Sequence, residues 1–277
     1  MYAEAMLWLD DHEITAGSET AYLCGLLFGR YRDSDMPADA DRAQGCVAGL
    51  LRREPQSALG LAMSGSLLLD RGLAALPPTD PAPDLVRQAS AAMDAAKALD
   101  ATSSFVWEQQ ARLLQAAGNL DEAEGAYASS LQLNPANLDA QAAYARLLTL
   151  RGRSEKGGQL ALAVLKSADP APPWYFAAPA VNALREGYNR SAIDYAEKLV
   201  AGDAELASVL AIVGAVRIGD EAVLNRYIAQ LLDVTRFRRF GIVPVLTRRI
   251  ADGWMIWTMA AGLTRAGVAA AALTGPF

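Results

Sequence analysis

Side chains able to do chemistry are sparse in this chain. It has one histidine, His12, in the segment HEITAGS, which reads as a surface loop. A single histidine excludes a multi-histidine metal site, and a Ser-His-Asp triad could form only through His12. No glycine-rich phosphate loop ending in Lys-Ser or Lys-Thr is present, and no GxGxxG run follows a strand pattern. Acidic pairs stand at Asp10-Asp11 and Asp121-Glu122. A glycosidase needs two carboxylates at a set separation, but the second pair is better explained as favourable charge at a helix start. One basic cluster exists: Arg236, Arg238, Arg239, Arg248 and Arg249, interleaved with Phe237 and Phe240. It would suit an anionic segment, a phosphate or a membrane surface. The plainer reading is a solvated helix face with its phenylalanines turned inward. We expect no catalytic residue, no metal site and no cofactor.

The elements that would position such residues announce themselves by repetition. From Phe105 the chain reads FVWEQQARLLQAAGNLDEAEGAYASSLQLNPAN. Trp107, Ala111 and Leu114 fall at i, i+4 and i+7, one face of a helix. Gly118 ends that helix, because glycine takes the left-handed turn cheaply. Asn119 can cap the next helix, with Glu122 three residues on as in a capping box. Ala123, Tyr127, Ser130 and Leu131 form its inner face, and Pro135 closes the unit. A small residue followed twelve positions later by Pro or Ala recurs at Ala43, Ala89, Ala123, Gly158 and Ala192, with a weak copy at Ala222. The closing positions 55, 101, 135, 170, 204 and 234 are 46, 34, 35, 34 and 30 residues apart. The long first interval holds a proline-rich insert, GLAALPPTDPAP.

With that phrase and that period, residues 20–234 resemble the tetratricopeptide repeat family. Gln110 and Ala111 depart from the family's usual Leu and Gly. The resemblance implies an all-α fold, a tetratricopeptide-like right-handed superhelix of about six helical hairpins. It also implies a scaffold or adaptor that binds protein or peptide along a concave groove lined by the first helix of each pair. By position that groove takes Phe105, Glu108, Arg112 and Gln115, then Asp139, Arg146 and Thr149, then Trp174, Val181 and Arg185. Arg112 and Arg146 share one repeat position, and two guanidiniums could grip a carboxylate or an acidic peptide; the alternative is that both are solvated or pair with nearby acids. The family's carboxylate-clamp lysines and asparagines are not reproduced. The two ends, ETAYLCGLLFGRYRDSDMPADADRAQGCVAGLLRREPQSALGLA and FGIVPVLTRRIADGWMIWTMAAGLTRAGV, resemble how repeat regions open and close in membrane-anchored bacterial regulators with cyclase or winged-helix outputs. That likeness would imply a ligand-sensing regulatory module. A helical glycan-active enzyme is the alternative from another class.

Composition agrees with close-packed helices: 52% of the 277 residues are hydrophobic and only 7% aromatic. A net charge of -6 disfavours nucleic acid as partner. Residues 1–19 read as a lead-in, with Met6 to Leu9 as a short strand or first turn, and residues 235–277 as two capping helices and a tail. In that cap Trp254 and Trp257 are expected to be at least partly buried. Cys24 and Cys46 fall on the two helices of the first hairpin. Two buried free thiols are expected, with a disulfide as the alternative. The start MYAEAMLWLDDHE lacks a basic signal-peptide region, and LASVLAIVGAV at 206–216 is too short to span a bilayer. The default expectation is a cytoplasmic chain, or a periplasmic one if it belongs to an anchored regulator, with a homodimer as a further assembly.

Overall fold

The computed structural model describes residues 20–34, 36–74 and 83–277. The readings made on Met6 to Leu9, Asp10-Asp11, His12 and the middle of the proline-rich insert lie outside the described residues. Among those described, the fold is all-α. Helices α1 (Ala21–Ser34) and α2 (Pro37–Arg53) form the first hairpin, α3 (Ala58–Ala74) and α4 (Pro83–Leu99) the second, and α5 (Ser104–Ala116) and α6 (Leu120–Leu133) the third. Then come α7 (Leu138–Leu150) with α8 (Ser154–Ser167), a 3-10 turn (Pro173–Phe176), α9 (Ala177–Glu186) with α10 (Asn189–Leu199), and α11 (Ala204–Ile218) with α12 (Glu221–Asp233). The chain ends in α13 (Thr235–Phe240), α14 (Ile242–Thr247), α15 (Gly253–Arg265) and α16 (Ala270–Thr274), four helices where the sequence suggested two. Contacts divide the described residues into one unit ending at Ala140 and a second from Gln141 to Phe277.

The turn chemistry is regular. The first helices α5, α7, α9 and α11 are each followed by a glycine with positive φ, at Gly118, Gly152, Gly187 and Gly219. A side chain there would strain the left-handed backbone, so these glycines mark where each hairpin folds back. Asn119 does stand at the N-cap of α6, but its side chain makes no capping bond there. Side-chain caps form instead at Ser103, Asp203, Asp220 and Asp252.

Small residues set how closely the paired helices approach. Ala43, Ala89, Ala123 and Ala192 are fully buried. A Cβ on Gly158 would come within 2.5 Å of Asn182. The last copy of the pattern is out of register by one: Ala222 is exposed and Val223 turns inward. In the first unit, Cys24 and Cys46 are joined by a disulfide with their Cα atoms 5.4 Å apart, which corrects the expectation of two free thiols. Both sulfurs sit in an apolar cluster with Leu27, Phe28, Val47 and Leu50, where α1 and α2 face each other. In the second unit, α11 is buried from Leu206 to Ala215, a helix apolar on every side because neighbours surround it. Among the described residues no helix is long and apolar enough to cross a membrane.

The C-terminal segment corrects a second expectation. Helix α15 turns Met255, Met259 and Leu263 into the core, while Trp254 and Trp257 are 46% and 65% exposed. The two tryptophans lie on the opposite side of the helix from that methionine stripe. Gly262 lets α15 lie against α11, since a Cβ there would meet Val213 at 2.8 Å.

Two measurements check this packing. Replacing Ala123, which has no exposed surface, by Leu should overpack the α5–α6 contact and lower stability by roughly 1–3 kcal/mol in thermal unfolding. Opening the disulfide with Cys24→Ala and Cys46→Ala should cost about 3 kcal/mol, from the chain entropy of a loop of this length. An unchanged midpoint in denaturant titration would show that packing in the first hairpin already restrains the unfolded chain.

Candidate binding surfaces

In the first unit two of the residues that sequence placed along the groove, Glu108 and Arg112, are joined through Gln109. Phe105 is half-buried, with its ring edge-on to Phe28 at 5.7 Å. Glu108 is only 4% exposed. Its carboxylate accepts from Gln109 Nε2 at 3.0 Å and from Asn137 Nδ2 at 3.1 Å. Arg112 donates to Asp70 at 2.8 Å, to Gln109 Oε1 at 3.0 Å and to the Ser66 hydroxyl. The Tyr31 hydroxyl donates to the same Asp70 at 3.2 Å, and Tyr127 reaches Gln115 at 3.4 Å. Asp139 is exposed. Arg112 is thus neutralised by Asp70 on α3. The repeat puts Ser66 at the Arg112 position one hairpin earlier, so this arginine reaches across to its predecessor. Burial, then repulsion from Asp139, pushes the Glu108 carboxyl up to about 7, against the Asn137 hydrogen bond and the attraction of Arg32 and Arg112.

In the second unit two candidate sites merge. Arg146, which sequence placed along the groove, donates to Asp203 at 2.9 Å. Arg249, from the basic cluster, contacts the same Asp203 oxygen and reaches Glu205 at 3.3 Å. Arg236 adds a contact to Glu205 at 3.5 Å. Asp203, whose side chain is 6% exposed, also caps α11 by accepting the Leu206 amide at 3.1 Å. Burial alone would raise its carboxyl, but Arg249 and Arg146 outweigh that and hold it below the usual range. The remaining cluster members are looser: Arg238 faces Asp233 at 3.7 Å, Arg239 lies over the Phe240 ring at 5.1 Å, and Arg248 is exposed. Phe237 is fully buried and Phe240 half-buried.

The chain's own C-terminal segment contacts further residues near those that sequence placed along the groove. Arg185 contacts Asp252, and its guanidinium stacks over the Trp254 ring at 4.8 Å. The Leu150 carbonyl, at the end of α7, accepts the amides of Ala251 and Asp252 at 3.0 and 3.1 Å. Thr149 is fully buried and bonds back to the Ala145 carbonyl at 2.9 Å. Trp174 is buried edge-on against Tyr175, and Val181 is fully buried. Thr149, Trp174 and Val181 therefore pack the interior. The partners Asp70 and Asp203 were not singled out in the sequence. Asp70 carries a signal there, a lone acid ending the apolar run of α3. Asp203 directly precedes the repeat's closing position 204.

A cleft of about 390 Å³ in the first unit is lined by Tyr31, Pro37, Ala40, Asp41, Gln44, Leu67 and Arg71. Asp41 is its one carboxylate, so the cleft does not assemble the close pair that glycoside hydrolysis requires. Among the described residues no group of His, Cys, Asp and Glu could hold a metal ion.

The buried Glu108 makes stability depend on pH. Its ordinary value is 4.5 and its value in the fold about 7. The protonated form is therefore favoured by folding, and that stabilisation is full below about pH 4.5 and lost as pH rises through 7. Glu108→Gln removes the dependence. Relative to the native chain the variant should gain about 2–3 kcal/mol between pH 4 and pH 8 in denaturant titrations; parallel profiles would show that Glu108 is ordinarily solvated.

No protein-family profile and no curated protein sequence matches the chain. Solved structures do. The chain is similar to PilW, a widely conserved type IV pilus biogenesis factor, with a TM-score of 0.52 and 16% identity over 77% of this chain and 93% of that one. It is similar to PilF of Pseudomonas aeruginosa at 0.52 and 14%, over 76% and 91%. Against a chain of the APC/C Cut9–Hcn1 hetero-tetramer the score is 0.59 at 12% identity, over 98% of this chain and 50% of that one. These neighbours are tetratricopeptide-repeat proteins. Hairpins turned by positive-φ glycines and packed on buried small residues, together with these likenesses, give the chain the tetratricopeptide-repeat fold.

Proposed function

We propose that the chain is a protein-binding scaffold without catalysis of its own. The carrying observation is the outward placement of Trp254 and Trp257 on a helix whose other side is locked into the core. Tryptophan gains much from burial, and it recurs among the residues that dominate interface energies. The fold supports this reading, since stacked hairpins offer extended surfaces rather than enclosed ones. The neighbours point the same way by name: PilW is a type IV pilus biogenesis factor, and another neighbour belongs to a hetero-tetramer. The Cys24–Cys46 disulfide favours work in an oxidising compartment over the cytosol, where thiols are kept reduced.

Affinity capture with the intact chain, followed by calorimetry on the purified captured protein, is expected to give one polypeptide at fixed stoichiometry. Turnover of an oligosaccharide by the purified chain, or capture of no polypeptide that binds once purified, would overturn the scaffold reading. Thiol labelling of the chain taken directly from cells should find Cys24 and Cys46 unreactive until a reductant is added; ready labelling would return the chain to a reducing compartment.

A further inference from the structure

Several arginines of the second unit are matched by acids. Arg146, Arg236 and Arg249 are spent on Asp203 and Glu205, and Arg185 on Asp252. Arg217 and Arg265 are different. Arg217, at the end of α11, donates to the Leu184 carbonyl at 2.7 Å and to Asn189 Oδ1 at 3.3 Å, both uncharged groups. Neither Arg217 nor Arg265 has a carboxylate partner among the described residues, and both are exposed. Their helices pack on each other, Gly262 of α15 against Val213 of α11, and partial burial of its stem, then the Arg265 charge, lowers the pKa of the Arg217 guanidinium. Two like charges side by side without a counter-ion cost free energy in the free protein, and an anion relieves it.

These cations continue the face that carries the tryptophans. On α15, Trp254, Ala261 and Arg265 follow at i, i+7 and i+11, which aligns them along one line of the helix, with Trp257 beside it. The line is roughly 16 Å long at the helical rise. At its start Arg185 stacks on Trp254; at its end stand Arg265 and, from α11, Arg217. Trp254 is held in place before any partner arrives, so less side-chain freedom remains to be lost on binding. Gly262 against Val213 fixes α15 on α11, which keeps the aromatic and basic ends at a set spacing.

Resting on the scaffold reading, we infer that the Trp254–Trp257–Arg265 face of α15, with Arg217, docks a short acidic segment of a partner protein. The segment lays an apolar or aromatic side chain on the tryptophans and sets a carboxylate between Arg217 and Arg265. Charge selects this occupant. The chain carries a net charge of -6, so an extended polyanion such as an anionic bilayer or a nucleic acid meets repulsion across its wide contact. A short acidic segment touches only this patch, where the neighbouring Asp252 and Asp220 are already matched by Arg185 and Arg190. Arginine suits the role, since its planar fork grips a carboxylate through two hydrogen bonds.

The test is selection of a random-peptide display library on the intact chain, with selected peptides synthesised and their affinities measured. Selected sequences should combine an aromatic or aliphatic anchor with Asp or Glu and should quench or shift tryptophan fluorescence. Trp257→Ala should weaken them about tenfold or more. Arg265→Gln should weaken them and flatten their salt dependence, and Arg265→Lys should restore part of the loss. Trp257 and Arg265 are exposed, so circular dichroism should show each variant folded as the parent. Selection of basic peptides, or of acidic ones indifferent to both Trp257→Ala and Arg265→Gln, would overturn the assignment. So would tryptophan-dependent co-sedimentation with anionic lipid vesicles in the absence of peptide binding, or a tryptophan-dependent dimer in sedimentation velocity. If the protein captured by the intact chain binds these variants as it binds the parent, this surface falls while the scaffold reading stands.

Discussion

Everything in this fold depends on how closely two antiparallel helices can approach. A hairpin cannot bury its own apolar face; it must lend that face to the next one. The approach is set by side chains too small to hold helices apart, Ala43, Ala89, Ala123, Gly158 and Ala192. Alanine also keeps its helix propensity high, so the residue that permits contact does not weaken the helix presenting it. The chain's alanine-rich, aromatic-poor composition follows from that need. Where glycine replaces alanine, at Gly158, the Asn182 side chain fills the space a methyl would take.

Close approach brings polar side chains of neighbouring helices together, and the fold responds with matched charges. Asp70 receives Arg112 and Tyr31; Asp203 receives Arg146 and Arg249. Buried ion pairs add little net stability compared with apolar packing, but removing one partner leaves an uncompensated charge and costs far more. Their effect is to fix relative position. Asp203 shows this: it caps α11, holds the first helix of one hairpin through Arg146, and ties down the C-terminal segment through Arg249. Residues that looked from sequence like a waiting ligand grip are engaged by the chain itself.

How much of this was legible depends on the range of the interaction. The hairpins, the Gly118 turn and the apolar run of α11 are local, written in spacing and residue size, and they could be read directly. The small-residue register failed only at Ala222, where the repeat is weakest and Val223 takes the inward place. Asn119 shows the limit of turn chemistry: the residue type fits a cap, yet the backbone at φ -81, ψ 67 does not bring its side chain to the helix amides. The disulfide was open in the sequence because two cysteines on facing helices pack equally well as thiols. The fate of Arg112 and Arg146 was illegible for a stronger reason: their partners lie 42 and 57 residues away, and no pattern along the chain pairs them.

The tryptophans were misjudged through a rule that usually holds. Large apolar side chains tend to be buried, but the informative case is the one that is not. On α15 the periodicity offered two faces, Trp254 with Trp257, and Met255 with Met259 and Leu263. Hydrophobicity alone favoured the first. Geometry decided for the second, because Gly262 opposite Val213 allows close packing only on the side that carries the methionines. Methionine is unbranched and adapts to an irregular gap, whereas an indole in the same space would force α15 away from α11. The exposed indoles are therefore a consequence of how α15 packs on α11: a tight contact requires small and flexible side chains inward, and that turns the rigid aromatic ones to the surface.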